Sequence, residues 1–246
     1  MVSLKMTTKY GAMASAVFAS IFVAGVYFVR ERSRRKEEAP PKLMRSVSMA
    51  VLHGGKLALK RLLDYHGARA DKCALNLAEC ELKTQLFSEK RPDYKKLQLI
   101  VAKLEMSGKE AETVEILEKA RIKAKKEQKW HEAYETEMFL VEMLIYKGDY
   151  EKALKCDCLS HEEISDARRP LYKAIIYIMS SSKQPAIDQW EKFIQLNQAF
   201  HCEPSLEKES LEEAQLHNLI SDFKEFEKVV KVLKDDITEA QAKQRK

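Results

Sequence analysis

Residues 10–29 read YGAMASAVFASIFVAGVYFV, twenty positions without a charge, and a basic run holding Arg30, Arg32, Arg34, Arg35 and Lys36 follows at once. No other stretch restricts the chain so tightly. A peptide backbone in hydrocarbon must satisfy its own N–H and C=O groups, and about twenty apolar residues at about 1.5 Å rise cross a layer of about 30 Å. The segment therefore predicts one membrane helix. A shorter apolar core ending at a small-residue cleavage site would mark a removable signal, but Val26, Tyr27, Phe28 and Val29 continue the run beyond Ala24-Gly25.

Charge then sets the expected topology. Lys5 and Lys9 precede the span, against five bases just after it. That bias places the rest of the chain in the cytosol, and a moderately apolar span with a basic flank is similar to the signal-anchors of mitochondrial or plastid outer-membrane proteins. An endoplasmic-reticulum membrane is the alternative. Ala12, Ala16, Ser20 and Ala24 recur every four residues, the spacing at which two membrane helices approach closely, so a homodimer through this helix is a second expectation.

The flank also explains the basic composition. The chain has 43 Lys and Arg against 38 Asp and Glu; residues 1–41 hold 7 of the bases and 3 of the acids, which leaves 36 against 35. A neutral body gives no ground for nucleic-acid binding. Five cysteines and no N-x-[ST] site agree with a reducing compartment. The organisation predicted is a tail (1–9), a membrane helix (10–29), a basic flank and linker containing Pro40 and Pro41 (30–45), a helical domain (46–204) and a long C-terminal helix (205–246).

The body is expected to be all-α. Apolar residues recur with a 3.6-residue period, no stretch alternates long enough for a strand, and only five glycines and four prolines follow the spacer. Helices are predicted over 46–65, 68–87, 93–106, 109–128, 131–146, 150–156, 162–180, 185–200 and 205–243. In the last, Leu216, Leu219, Phe223, Phe226, Val230, Leu233, Ile237 and Ala240 form a seam spaced by three and four. Such a seam either caps the domain or pairs with another chain as a coiled coil.

The stretch Tyr146-Lys147-Gly148-Asp149-Tyr150-Glu151-Lys152-Ala153-Leu154 has Gly closing one helix, an aromatic opening the next and a small Ala where two helices cross. It resembles the interhelical turn of a tetratricopeptide repeat, with Gly148, Tyr150 and Ala153 in those places, and Gly108 marks a similar turn forty residues earlier. A third turn falls near Ser180. The resemblance implies a TPR-like right-handed solenoid of antiparallel helix pairs that presents a concave surface to a protein partner. The family's Trp and its repeat-closing Pro are missing, and a plain antiparallel bundle is the alternative architecture.

Chemistry leaves little trace. His53-Gly54-Gly55-Lys56 lacks the first Gly and the Ser or Thr of a phosphate loop, and His131-Glu132-Ala133-Tyr134-Glu135 has Glu where a zinc-protease helix has its second His. Cys156, Cys158 and His161, with Cys202, are the nearest approach to a metal set, and buried structural cysteines are the expected reading for these as for Cys73 and Cys80. The run Lys119, Arg121, Lys123, Lys125, Lys126 and Lys129 reads as a solvated helix face. Chaperone-tail clamps of the family use paired Asn and basic residues on inner helices, whereas the inner helix here carries Glu135, Glu137 and Glu142 and no Asn. Ser48, three residues after Arg45, is a candidate phosphosite as well as a helix cap. No catalytic residue, metal or cofactor is expected. The function implied is non-enzymatic: a membrane-anchored scaffold or adaptor for protein partners, or alternatively a structural or assembly subunit of a larger membrane complex.

Overall fold

The computed structural model describes residues 53–55, 58–60, 62, 72–200 and 222–244, all within one unit, Leu43–Lys246. Its helices are α1 (Lys72–Phe87), α2 (Tyr94–Leu104), α3 (Glu110–Lys126), α4 (Trp130–Lys147), the one-turn α5 (Tyr150–Leu154), a 3-10 turn (Asp157–Leu159), α6 (Arg168–Met179), α7 (Lys183–Phe200) and α8 (Phe223–Gln244). No strand occurs among the described residues, as expected of an all-α chain. Among them no helix is long and apolar enough to cross a membrane; residues 10–29 lie outside them, as do Ser48, Leu216 and Leu219.

Three antiparallel pairs carry the packing: α1 with α2, α3 with α4, and α6 with α7. Between pairs, α2, α4 and α6 lie side by side, and α1 touches α3. Every residue of α4 from 133 to 146 is buried, so neighbours cover this helix on all sides. Apolar contact supplies most of that cover through Met138, Phe139, Leu140, Val141, Leu144 and Ile145, each a side chain whose burial is worth about 1.5–3 kcal/mol. Polar contact sets its register. The Gln98 amide of α2 donates to both Glu142 oxygens of α4 at 3.0 and 2.9 Å, and the Tyr172 hydroxyl of α6 donates to the same carboxylate at 3.2 Å.

Local chemistry accounts for the helix ends. Asp93 follows Pro92 and its Oδ1 accepts from the N–H groups of Lys95 and Lys96, which starts α2 where the sequence places it. Helices α3, α4 and α6 end in one motif. A left-handed residue follows the last turn (Gln128, φ 57; Gly148, φ 83; Ser181, φ 61), and the next N–H reaches back five residues, Lys129 to Ala124, Asp149 to Leu144 and Ser182 to Tyr177.

Several predicted helices differ. The helix expected over 46–65 is interrupted at Gly54 and Gly55, where Gly55 has φ 73, and the one expected over 205–243 is not continuous, since Asp222 is non-helical and its side chain accepts from the Lys224 N–H to start α8. The helix expected over 150–156 is a single turn, because the Glu137 carboxylate accepts from the N–H groups of Asp157 and Cys158 and draws the chain into the 3-10 turn. The antiparallel partner of α4 is thus α3, and the tetratricopeptide-like turn at Gly148 leads only into a stub. The helix expected from 162 begins at Arg168. Pro170 has no N–H to donate and fits only a first turn, and the Arg169 guanidinium binds the carbonyls of His161 and Ile164, which fixes the preceding residues as a loop.

Helix α8 packs on α6 and α7 of the same chain. The Phe226 ring stacks on Trp190 with centroids 3.9 Å apart and planes 15° apart, and Val230, Leu233 and Ile237 of the predicted seam are buried. Its polar residues complete other helices: Lys234 Nζ donates to the Met179 carbonyl at 2.7 Å, and Gln241 Nε2 donates to the Lys147 carbonyl at 2.9 Å. Both carbonyls are among the acceptors left over at a helix C-terminus, where a cation is also favoured.

Gln128 is exposed and holds its left-handed backbone without glycine's freedom. Gln128→Gly is expected to raise unfolding free energy by about 0.5–1 kcal/mol, and Gly148→Ala, at φ 83 and 3.3 Å from Gln241 Nε2, to lower it by about 1–2 kcal/mol, both read from denaturant unfolding.

Candidate functional site

The most unusual chemistry lies inside the body. Arg168, the first residue of α6, is fully buried, which a permanently charged guanidinium tolerates only with matched acceptors. Its Nη2 donates to Asp166 Oδ2 at 2.7 Å and to Glu135 Oε2 at 2.9 Å, and its Nε donates to Asp166 Oδ1 at 3.1 Å. Asp166 Oδ1 also accepts the Arg168 N–H at 2.9 Å, and Tyr134 donates its hydroxyl to Asp166 Oδ2 at 3.2 Å. Across the cluster, His53 Nε2 lies 2.6 Å from Glu135 Oε1 and 3.7 Å from Asp166 Oδ2. Glu135 and Asp166 have no exposed surface, and Arg168 Nη1 is buried without a hydrogen-bond partner.

The backbone around His53 is as closely fitted as its side chain. The His53 carbonyl accepts from the Ala167 N–H, and Asn197 Nδ2 of α7 donates to the Gly54 carbonyl at 2.7 Å. Gly55 has φ 73, and a Cβ there would sit 3.0 Å from Phe193 Cε2. The Leu59 N–H bonds the Gly55 carbonyl, and residues 58–60 are helical. Expected within the helix over 46–65 and not matching a phosphate loop, the His-Gly-Gly stretch inserts between α4, the 166–168 corner and α7.

Burial and charge pull these groups in opposite directions. Burial alone would raise Glu135, but the Arg168 charge and the His53 bond outweigh it and hold the carboxyl below its usual range. Burial opposes the Arg168 charge too, yet Asp166 and Glu135 keep the guanidinium protonated, its value well above the ordinary one. Tyr134 is pushed up, first by burial and then by Asp166, so its hydroxyl remains a donor. His131, one turn before Glu135, meets Tyr94 edge-on at 5.4 Å, and burial pushes its imidazole toward the neutral form.

His53, Glu135 and Asp166 offer three ligand atoms within 4.8 Å of one another. Arg168 nevertheless occupies the space a cation would take, 2.7 and 2.9 Å from the same two carboxylates, and a divalent ion beside it would face an uncompensated guanidinium. The arrangement is that of an ion network which orders the interior.

The residues singled out in sequence are dispersed. Gly108 (φ 85) follows α2, Gly148 caps α4, Tyr150 opens α5 half-buried, and Ala153 is wholly buried. Gly148 and Tyr150 line an open surface groove of about 710 Å³ with Ser180, and a second groove of about 520 Å³ lies between Phe87 and Ile116. Cys158 is buried and its thiol pushed well up by burial; Cys156 is half-buried and pushed to about 12 for the same reason. His161 turns instead to Glu163 at 2.7 Å, and Cys202 and the Cys73 side chain fall outside the described residues. Cys80, expected in the core, is exposed. The basic run on α3 is matched by acids: Lys119 with Glu115, Arg121 with Glu137, Lys125 with Asp157 and Lys129 with Glu127. Glu135, Glu137 and Glu142 do not line a surface as the sequence reading had them, since each is buried and bonded to a neighbouring element.

Comparison with protein-family models, with curated proteins and with solved structures yields no match.

Removing the guanidinium leaves two buried carboxylates facing each other. Arg168→Met is therefore expected to cost about 3–5 kcal/mol in denaturant unfolding, more than a surface Arg replacement. The depressed Glu135 value makes stability depend on acid. Because the folded carboxyl holds its proton less tightly than the unfolded one, its contribution is complete above the unfolded value of about 4.3 and disappears as pH falls through the lower folded value. Unfolding free energy measured from pH 7 to pH 3 should fall less steeply in Glu135→Gln than in the wild type.

Proposed function

We propose that the chain is a membrane-tethered TPR-like scaffold, whose stacked helix pairs hold a protein partner on the cytosolic face of an organelle membrane. What supports this reading is the succession of packed helix pairs, with α2 against α4, α4 against α6 and α1 against α3, which suits a repeat scaffold, joined in sequence to an apolar span with a basic flank. The buried Arg168, Glu135 and Asp166 engage one another, and among the described residues no buried charged group is arranged as a nucleophile with its base. This favours binding over catalysis. The tether then contributes location, restricting the scaffold to one surface.

Leu77 and Leu99 support the second reading, a subunit of a larger membrane complex. They stand on the paired helices α1 and α2 with 61% and 62% of their surface exposed, apolar area of the kind that a permanent neighbour covers. In that reading Leu77→Glu with Leu99→Glu removes the chain from its assembly while its own stability changes by less than about 0.5 kcal/mol.

Topology is the first test. In intact organelles carrying the full chain with a C-terminal fluorescent protein, added protease should digest the reporter, and alkaline extraction should leave the N-terminal fragment in the membrane. A protected reporter, or release of the chain by alkali, would overturn the tethered cytosolic scaffold.

A further inference from the structure

We propose that the solvent face of α2 docks on anionic lipid headgroups and so lays the helical body against the bilayer that holds the chain; this rests on the tethered reading above. Helix α2 reads YKKLQLIVAKL, with three lysines and no acid. Leu97, Ile100, Val101 and Leu104 are buried, which leaves Lys95, Lys96, Leu99 and Lys103 exposed. Lys95, Leu99 and Lys103 recur every fourth residue and therefore form one stripe along the helix.

The lysines of this stripe differ from those on other helices. Lys119 of α3 stands beside Glu115, Lys125 beside Asp157, Lys231 of α8 beside Glu227 and Lys243 beside Glu239. Among the described residues no carboxylate lies within ion-pair distance of Lys95, Lys96 or Lys103. The turn before α2 sets Lys90 and Arg91 against Glu89 and Asp93, so the three charges of the helix remain in excess. In their midst Leu99 keeps 62% of its surface exposed. Tyr94 meets His131 edge-on at 5.4 Å, which puts the first turns of α2 and α4 side by side, and Trp130, 45% exposed, opens α4 there.

Unpaired ammonium groups around an apolar side chain complement a layer of phosphates over hydrocarbon. The ammonium groups take the phosphates, while the lysine stems and Leu99 reach the apolar boundary beneath them, a depth that also suits an indole. An acidic neighbouring subunit would meet the same charges, but the bilayer is the anionic surface that a tether keeps within reach. Three lysines beside such a surface favour the docked state on the order of a hundredfold, a preference that salt screens.

The test uses the full chain reconstituted through its span into vesicles of phosphatidylcholine, alone or with an equal part of phosphatidylglycerol. Lysines are labelled briefly with a membrane-impermeant acylating ester and read by mass spectrometry, with Lys224 of α8, also exposed and without an ion pair, as internal reference. On the anionic vesicles Lys95, Lys96 and Lys103 should react at least about fivefold more slowly, relative to Lys224, than on the neutral ones. Salt at about 1 M, where the screening length is about 3 Å, should remove the difference. So should Leu99→Glu, with circular dichroism unchanged. Equal rates on the two kinds of vesicle overturn the proposal, as does protection that survives the salt. Slow labelling in organelle membranes together with equal rates on the vesicles also overturns it, and gives the face to an acidic protein. Flotation is read in parallel: a chain that floats with the vesicles but shows no protection loses the docking and keeps its tether, whereas one that stays behind loses the tether itself.

Discussion

A guanidinium with no exposed surface dictates much of this fold. Arg168 cannot shed its charge and cannot reach water, so its acceptors must be in place whenever the interior is closed. Those acceptors come from α4 through Glu135 and from the corner before α6 through Asp166, and His53 adds a third segment. Apolar packing would tolerate a sliding of α4 along α6 with small changes in buried area. The fork of N–H donors does not, because a shift of α4 by one residue takes the Glu135 carboxylate away from Arg168 and the Tyr134 hydroxyl away from Asp166.

The same logic extends along α4. Its three buried carboxylates each engage a different neighbour: Glu135 the Arg168 corner, Glu137 the Arg121 side chain and the 3-10 turn, Glu142 the Gln98 amide and the Tyr172 hydroxyl. A helix covered on all sides and lined only with Leu, Met and Phe could rotate between several similar packings. Directional bonds to α2, α3 and α6 select one rotation and one register, which is the use of buried polar groups in an otherwise apolar interior.

Sequence made the helices legible and hid the network. Period and caps are local, so Asp93 before α2, Gly148 after α4 and the seam of α8 could be read residue by residue. The partner of Glu135 is 33 residues away in Arg168 and 82 away in His53, and no local pattern encodes such a pairing. Without it, a helix bearing Glu135, Glu137 and Glu142 reads as a solvated or groove-lining face. His53-Gly54-Gly55 was obscured for a related reason: its glycines serve a close approach to Phe193, which looks in sequence like a loop that failed to bind phosphate. Gln128 and Ser181 adopt the left-handed conformation with no glycine to announce it, so one capping motif recurs three times and shows in composition once. The loop before α6 was foreshadowed by Pro170, but its length depends on the contacts of Arg169 with the carbonyls of His161 and Ile164.

Helices α4 and α6 are closed at both ends by segments from opposite ends of the chain. Near their N-termini, His53 and Gly54 engage Glu135, Ala167 and, through Asn197, α7; at their C-termini, Lys234 and Gln241 of α8 take the carbonyls of Met179 and Lys147. The two closures differ in kind. The α8 end has an aromatic stack, an apolar seam and polar side chains that bond the carbonyls they meet. At the His53 end, apolar burial of Leu59 and Leu62 is combined with the contacts of His53 to Glu135 and Asp166 and with an Arg168 Nη1 that has no hydrogen-bond partner. Both closures bury apolar surface, but the first meets leftover carbonyls at helix ends and the second meets buried charges, so different chemistry holds the register at the two ends of the same helices.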